Sequence, residues 1–212
     1  SAEGITSGDA LGNGTYALGV QYNNRNGGYY VVVKDNKVKT NVTAEFLNSE
    51  TYRQWVTFEN NTASQLIIID DDTYEDYFNE DGTAKSTLPA EGFTLMIGNL
   101  NGKNMILSGS DFEIVPFDES SKITNCEITL SEVSSVTISG LTIENTNKNG
   151  IHILEGCTDV TIAENYFDIT GDAESAASGQ YSISAIFIEA FVSGINISEN
   201  DIALVKEVKS DV

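Results

Sequence analysis

Cysteine is scarce, positive charge is scarcer than negative by a wide margin, and long apolar runs are missing. Two cysteines in 212 residues exclude a disulfide-stapled scaffold and a four-cysteine zinc site. Eleven Lys and Arg face 32 Asp and Glu, so 11 − 32 = −21. Such a field repels phosphate backbones, and nucleic acid is not an expected partner. It also repels acidic membrane surfaces and polyuronic acids unless a divalent cation bridges them. Neutral glycans, cations and basic partners remain compatible. No run approaches the ~18 apolar residues a membrane-spanning helix needs, so no membrane span is expected. Ser1 to Gly14 are small and polar rather than signal-like, and any export signal is expected to be already gone. What is present is globular in balance, with 40% hydrophobic and 20% charged residues. Acidity, few lysines and abundant Asn, Thr, Ser and Gly point to an extracellular or cell-surface protein of bacterial type.

The strongest signal is internal repetition. Val136-Thr-Ile-Ser-Gly-Leu-Thr-Ile143, Val160-Thr-Ile-Ala-Glu-Asn-Tyr-Phe167 and Ile195-Asn-Ile-Ser-Glu-Asn-Asp-Ile202 superpose without gaps. A second set, Ile128-Thr-Leu130, Ile151-His-Ile153 and Ile186-Phe-Ile188, precedes them by 8, 9 and 9 residues (136 − 128, 160 − 151, 195 − 186). Two different strands recurring in fixed order describe a coil. Val136 to Val160 is 24 residues and Val160 to Ile195 is 35; the excess of 11 falls in the small polar stretch Gly171 to Tyr181, read as a loop added to one coil. Alternation by two puts Val136, Val160 and Ile195 inside and Thr137, Thr161 and Asn196 outside. Asn165 and Asn200 share a turn position where stacked amides satisfy bent backbone. Fainter coils are expected at Phe93 to Ile97 with Met105 to Phe112, and from Ile123 to Leu130.

Ser135 to Asn145 and Asn149 to Asn165 resemble parallel β-helix repeats of the pectate-lyase-like superfamily, over roughly residues 93–205. The resemblance implies an all-β chain whose C-terminal part, residues 89–212, is a right-handed parallel β-helix, with further coils of a longer protein expected beyond Ile202. Residues 1–88 show no copy of the coil. Their alternating runs, with Lys34-Asp-Asn-Lys37 as a hairpin turn, are read as a small antiparallel β domain or as a cap on the first coil.

Three groups of residues offer chemistry. Asp70 to Asp81 holds seven acids and no base; Asp70, Asp71, Asp72 and Asp76 are the candidate calcium ligands, against a solvated segment with Tyr74, Tyr77 and Phe78 packed inward. The sole histidine, His152, faces outward between two inward isoleucines and stacks between Thr129 and Phe187. Glu132 and Glu155 share another outer column, with Glu189 one place offset. An aromatic ring, a histidine and carboxylates on one face suit sugar binding; in the resembled superfamily this kind of face often forms the glycan groove. The bland alternative is an ordinary solvent-facing sheet. Cys126 and Cys157 occupy different columns and are expected as two buried free thiols.

Catalysis finds less support. Lyases similar to this superfamily commonly use lysine or arginine as the base, yet only Lys103, Lys122 and Lys148 lie in the main coils. An inverting hydrolase needs carboxyls about 6.5–9.5 Å apart, whereas adjacent coils lie ~4.8 Å apart. Asn145-Thr146-Asn147 has Asn where a polygalacturonase-like motif needs an acid. The leading expectation is therefore a secreted or surface module, adhesin-like, contacting polysaccharide without catalysis and needing no cofactor beyond a candidate calcium ion. The alternatives are a polysaccharide lyase or glycoside hydrolase, and a structural spacer. End-to-end self-association through open strand edges is a further expectation.

Overall fold

A computed structural model describes residues 31–34, 37–39, 56–59, 62–171 and 183–206. Packing divides the chain into two compact units, Ser1–Gln65 and Leu66–Val212. The 1–88 and 89–212 division drawn from the sequence differs from this by the segment 66–88. That segment contributes Ile67, Ile69, Tyr74, Phe78 and Leu88 to the same hydrophobic core as the repeats.

The first unit contains the strands β1 (Val31–Lys34), β2 (Lys37–Lys39) and β3 (Val56–Glu59) and the start of β4 (Thr62–Ile69). The antiparallel expectation is corrected here. β1 pairs parallel with β3, Val31 opposite Val56, and β2 pairs parallel with β4, Lys37 opposite Thr62. Both pairings have an offset of 25 residues (56 − 31 and 62 − 37), so each of the two strands pairs with one 25 residues later; Asp35 and Asn36, the centre of the expected hairpin turn, lie outside the described residues.

In the second unit one short helix, α1 (Tyr74–Tyr77), is followed by β5 (Phe93–Ile97), β6 (Leu100–Asn101), β7 (Met105–Pro116), β8 (Ile123–Thr124), β9 (Ile128–Ser139), β10 (Thr142–Thr146), β11 (Ile151–Ile153), β12 (Thr158–Ala163), β13 (Tyr166–Gly171), β14 (Ile186–Ile188), β15 (Asn196–Ser198) and β16 (Asp201–Lys206). Every pairing between these named strands is parallel, and the register is continuous except for one shift in β7 against β9, between Leu107 and Gly109. Leu95, Ile114, Ile138, Ile162 and Ile197 form one file. Met105, Ile128, Ile151 and Ile186 form a second. Leu100, Ile123, Ile143, Phe167 and Ile202 form a third. The 24- and 35-residue repeats are those of β9 on β12 and β12 on β15. The extra polar stretch, residues 172–181, lies outside the described residues.

Strands this short gain stability only by stacking, since each buried Ile, Leu or Phe contributes about 1.5–3 kcal/mol against a large ordering entropy. The files are accordingly closed to solvent, and Phe93 and Phe112 stack with ring centroids 4.7 Å apart. The last coil is the exception: Ile197, Ile202 and Leu204 are 44%, 45% and 63% exposed.

Corners are built by stacking too. The residue just before Phe93, Phe112, Val136, Val160 and Ile195 adopts the left-handed region, in three cases inside a strand that bends there: Gly92 (φ 69°), Asp111 (54°), Ser135 (56°), Asp159 (53°) and Gly194 (68°). A single left-handed residue turns an extended chain sharply, at a cost of roughly 1–2 kcal/mol where the residue carries a Cβ. Repeating it at the same position in each coil keeps all the following strands in line.

The turn after this file is held by asparagine. Asn165, 1% exposed, accepts a hydrogen bond at Oδ1 from Leu141 N (3.0 Å) and donates through Nδ2 to Ile138 O (3.1 Å) and Ala163 O (2.9 Å). Asn200, one coil on, accepts from Asn165 N (3.0 Å) and Asn165 Nδ2 (2.9 Å) and donates to Ile162 O (2.8 Å) and Ser198 O (3.0 Å). The stacked amides expected at this position are present. Asn145 does the same work at another corner, accepting from Cys126 N (3.0 Å) and donating to Cys126 O (2.7 Å) and Asn149 O (2.6 Å).

Candidate functional site

Three parallel strands, β9, β11 and β14, carry the candidate outer face. Each is apolar-outward-apolar, so its middle side chain must point away from the core. Their register places His152 between Thr129 and Phe187, in the order read from the repeat. The Phe187 ring lies 4.9 Å from the imidazole, tilted by 52°.

The file is tied together rather than open. His152 Nδ1 is 3.3 Å from Glu127 Oε1, and Nε2 is 3.1 Å from Glu189 Oε1. Neutral imidazole donates from one of these nitrogens; only the imidazolium donates from both. Glu127 Oε1 also accepts from Thr129 Oγ1 (3.2 Å), and Oε2 accepts from Asn149 Nδ2 (2.9 Å). Glu189 Oε2 accepts from the Glu155 backbone N–H (3.2 Å). His152 is thus a strut across the sheet, with acids at both ends and an aromatic ring on its face. Thr129 is buried, whereas Glu132 and Glu155 are exposed, Glu132 in the left-handed region (φ 55°). The structure brings Thr129, His152, Phe187 and Glu189 together and leaves the side chains of Glu132 and Glu155 at the rim.

Glu127 is the member that sequence reasoning missed. It precedes its strand by one residue and carries no periodic signal. Stacking alone brings it beside His152, 25 residues away in the chain.

The acidic run is organised as a turn. Asp70 Oδ1 accepts from the backbone N–H of Asp72 (3.1 Å) and Thr73 (2.9 Å) and from Thr73 Oγ1 (2.9 Å). These bonds, those from Thr73 foremost, hold the Asp70 carboxyl below its ordinary pKa. Asp71 Oδ1 accepts from Asn101 N (3.0 Å). Asp72 and Asp76 are exposed. Two of the four candidate ligands therefore spend an oxygen on backbone. Among the described residues no group of three or more His, Cys, Asp or Glu side chains is gathered as a metal site.

Cys126 and Cys157 are free and buried. The Cys126 sulfur accepts from Lys103 N (3.1 Å) and lies 3.2 Å from Thr124 O; burial pushes its pKa above the ordinary thiol value. No helix among the described residues is long and apolar enough to cross a membrane. Comparison with protein families, with curated proteins and with solved structures finds no match to this chain.

Proposed function

We propose that this chain is part of a right-handed parallel β-helix and acts as a secreted or cell-surface module that contacts polysaccharide without transforming it. The observation that carries the reading is the outward file Thr129–His152–Phe187, aligned residue for residue on three stacked strands and buttressed by Glu127 and Glu189. A solenoid face fixed in this way is rigid before its partner arrives, which lowers the ordering cost of binding an extended chain. Phe187 supplies an apolar ring face for a sugar, and the outer carboxylate oxygens accept hydroxyl hydrogens.

A binding role suits the geometry better than a catalytic one. A general acid or base needs a free nitrogen or oxygen aimed at substrate. Both His152 nitrogens face carboxylates of the protein itself, and Glu127 and Glu189 are each bonded to further groups. The superfamily resemblance supports the coil architecture and adds no reaction, because that fold hosts many functions.

The test is an array of neutral and acidic polysaccharides probed with the full chain and with Phe187→Ala. The reading predicts retention on at least one glycan, weakened with Phe187→Ala. A blank array across both classes defeats it. Release of reducing ends or of unsaturated sugars, abolished by His152→Ala, replaces it with the lyase or hydrolase reading.

A further inference from the structure

Away from that face, the segment after residue 70 folds over the corner at Gly102–Asn104 and leaves an open cleft of about 460 Å³. This lies within the roughly 300–1,000 Å³ of ordinary small-molecule sites. Its floor is Tyr74, stacked on Phe78 with centroids 5.0 Å apart and fixed by donation from its hydroxyl to Asn104 O. Two ammonium groups stand in the wall. Lys103 Nζ donates to Asp71 O (3.0 Å) and sits 4.9 Å from the Tyr74 ring centroid; Lys85 Nζ donates to Glu75 O. An ammonium has three hydrogens, so both retain donors. Glu75 and Glu80 line the same cleft, and both residues are exposed. Asn104 Oδ1 is taken by Glu127 N (3.1 Å) and Lys148 Nζ (3.0 Å), which leaves its amide nitrogen as a donor. At Gly102 (φ 71°) no heavy atom lies within 4 Å of where a Cβ would stand, so a ligand can come close there, while the Gly102 N–H itself donates to Thr124 O (2.9 Å).

The charge of this lining decides the ligand class. Two lysines offset two glutamates, so the cleft is locally neutral in a chain of net charge −21. A bare anion meets Glu75 and Glu80, a bare cation meets Lys85 and Lys103, and an apolar molecule strips water from all four without replacing it. A hydroxyl both donates and accepts, so a polyhydroxylated neutral molecule satisfies lysines and glutamates together. We infer that this cleft holds a neutral sugar unit, the end or a branch of a glycan, through Lys85, Lys103, Glu80 and the open approach at Gly102. The inference rests on the polysaccharide reading for the ligand's class and places the grip on a different part of the surface from Phe187.

Amide NMR spectra of the full chain test it directly. The probes are glucose, galactose, mannose, xylose and N-acetylglucosamine with their disaccharides, and separately inorganic phosphate and glycine. The expected result is that a neutral sugar shifts Gly102, Lys103 and Asn104. Glu80→Gln, an exposed change that leaves the fold intact, weakens binding roughly tenfold; Phe187→Ala leaves this binding unchanged. Shifts at these amides with phosphate or glycine but with no sugar overturn the assignment. Sugar shifts confined to residues around Phe187, and weakened with Phe187→Ala, overturn the cleft and keep the polysaccharide reading. No response to any sugar at either place defeats both.

Discussion

Replacing Asn165 by alanine removes one side chain that holds two coils together. The amide is 1% exposed and makes four side-chain hydrogen bonds, to Leu141 N, Ile138 O, Ala163 O and Asn200 Oδ1. Alanine orphans the Leu141 N–H and deprives Ile138 O of a donor, both in a buried turn. An unsatisfied buried donor costs about 1–3 kcal/mol, and each further lost bond about 1 kcal/mol net. Water reaches Ala163 and Asn200 more easily, so those losses are partly recovered. The sum is a destabilisation of about 2–5 kcal/mol, a large share of a typical domain's 5–15 kcal/mol. Asn200→Ala, on the solvent-facing last coil, is expected to cost only about 1 kcal/mol. Urea unfolding followed by far-UV circular dichroism measures both, with Thr161→Ala as an outward control. The reasoning fails if Asn165→Ala costs less than about 1 kcal/mol or no more than the control.

Three further outcomes follow from the same geometry. Ser135 holds a left-handed corner at φ 56° that Gly92 and Gly194 occupy elsewhere in the file, so Ser135→Gly is expected to stabilise by roughly 0.5–1 kcal/mol in the same assay. Tyr74 has its pKa raised from 10.0 to about 12, by burial first and then by the charges of Cys126 and Asp81. The fold therefore favours the neutral phenol, and that stability is complete below pH 10 and lost as pH rises through 10 to 12. After discounting for solvent screening it is about 1–2 kcal/mol, and Tyr74→Phe should flatten this part of the stability–pH curve. Being buried, Cys126 and Cys157 should resist a thiol reagent in the native chain and both react in denaturant; rapid native labelling would contradict this.

The repeats were legible because their inward files alternate by two and their corners reuse the same residue types. Val136, Val160 and Ile195 announce the register, and so do Asn165 and Asn200. The parallel pairing in the first unit was harder to see. Val31–Lys34 pairs with Val56–Glu59 and Lys37–Lys39 with residues 62–64, both at an offset of 25, yet valine–threonine and lysine–glutamate matches carry little identity, and Lys34-Asp-Asn-Lys37 has hairpin-turn chemistry. Propensity marks a turn there without saying whether the chain reverses or goes round a corner. His152, Thr129 and Phe187 came together as the alternation required. Glu127 and the cleft at Gly102 did not show in the sequence, because long-range stacking rather than local pattern assembles them. In the acidic run, Asp70 and Asp71 each bond backbone N–H groups, of their own turn and of Asn101, contacts that its sequence pattern did not announce.

The register itself is the most direct thing to measure. Backbone proton contacts in the labelled chain should link Thr137 with Thr161 and Thr161 with Asn196, in the slanted, evenly spaced pattern of parallel neighbours. Cross-strand Hα–Hα contacts between these segments, as antiparallel neighbours give, or the same parallel pattern slipped by one residue, would contradict the stacked files and the outer face built on them.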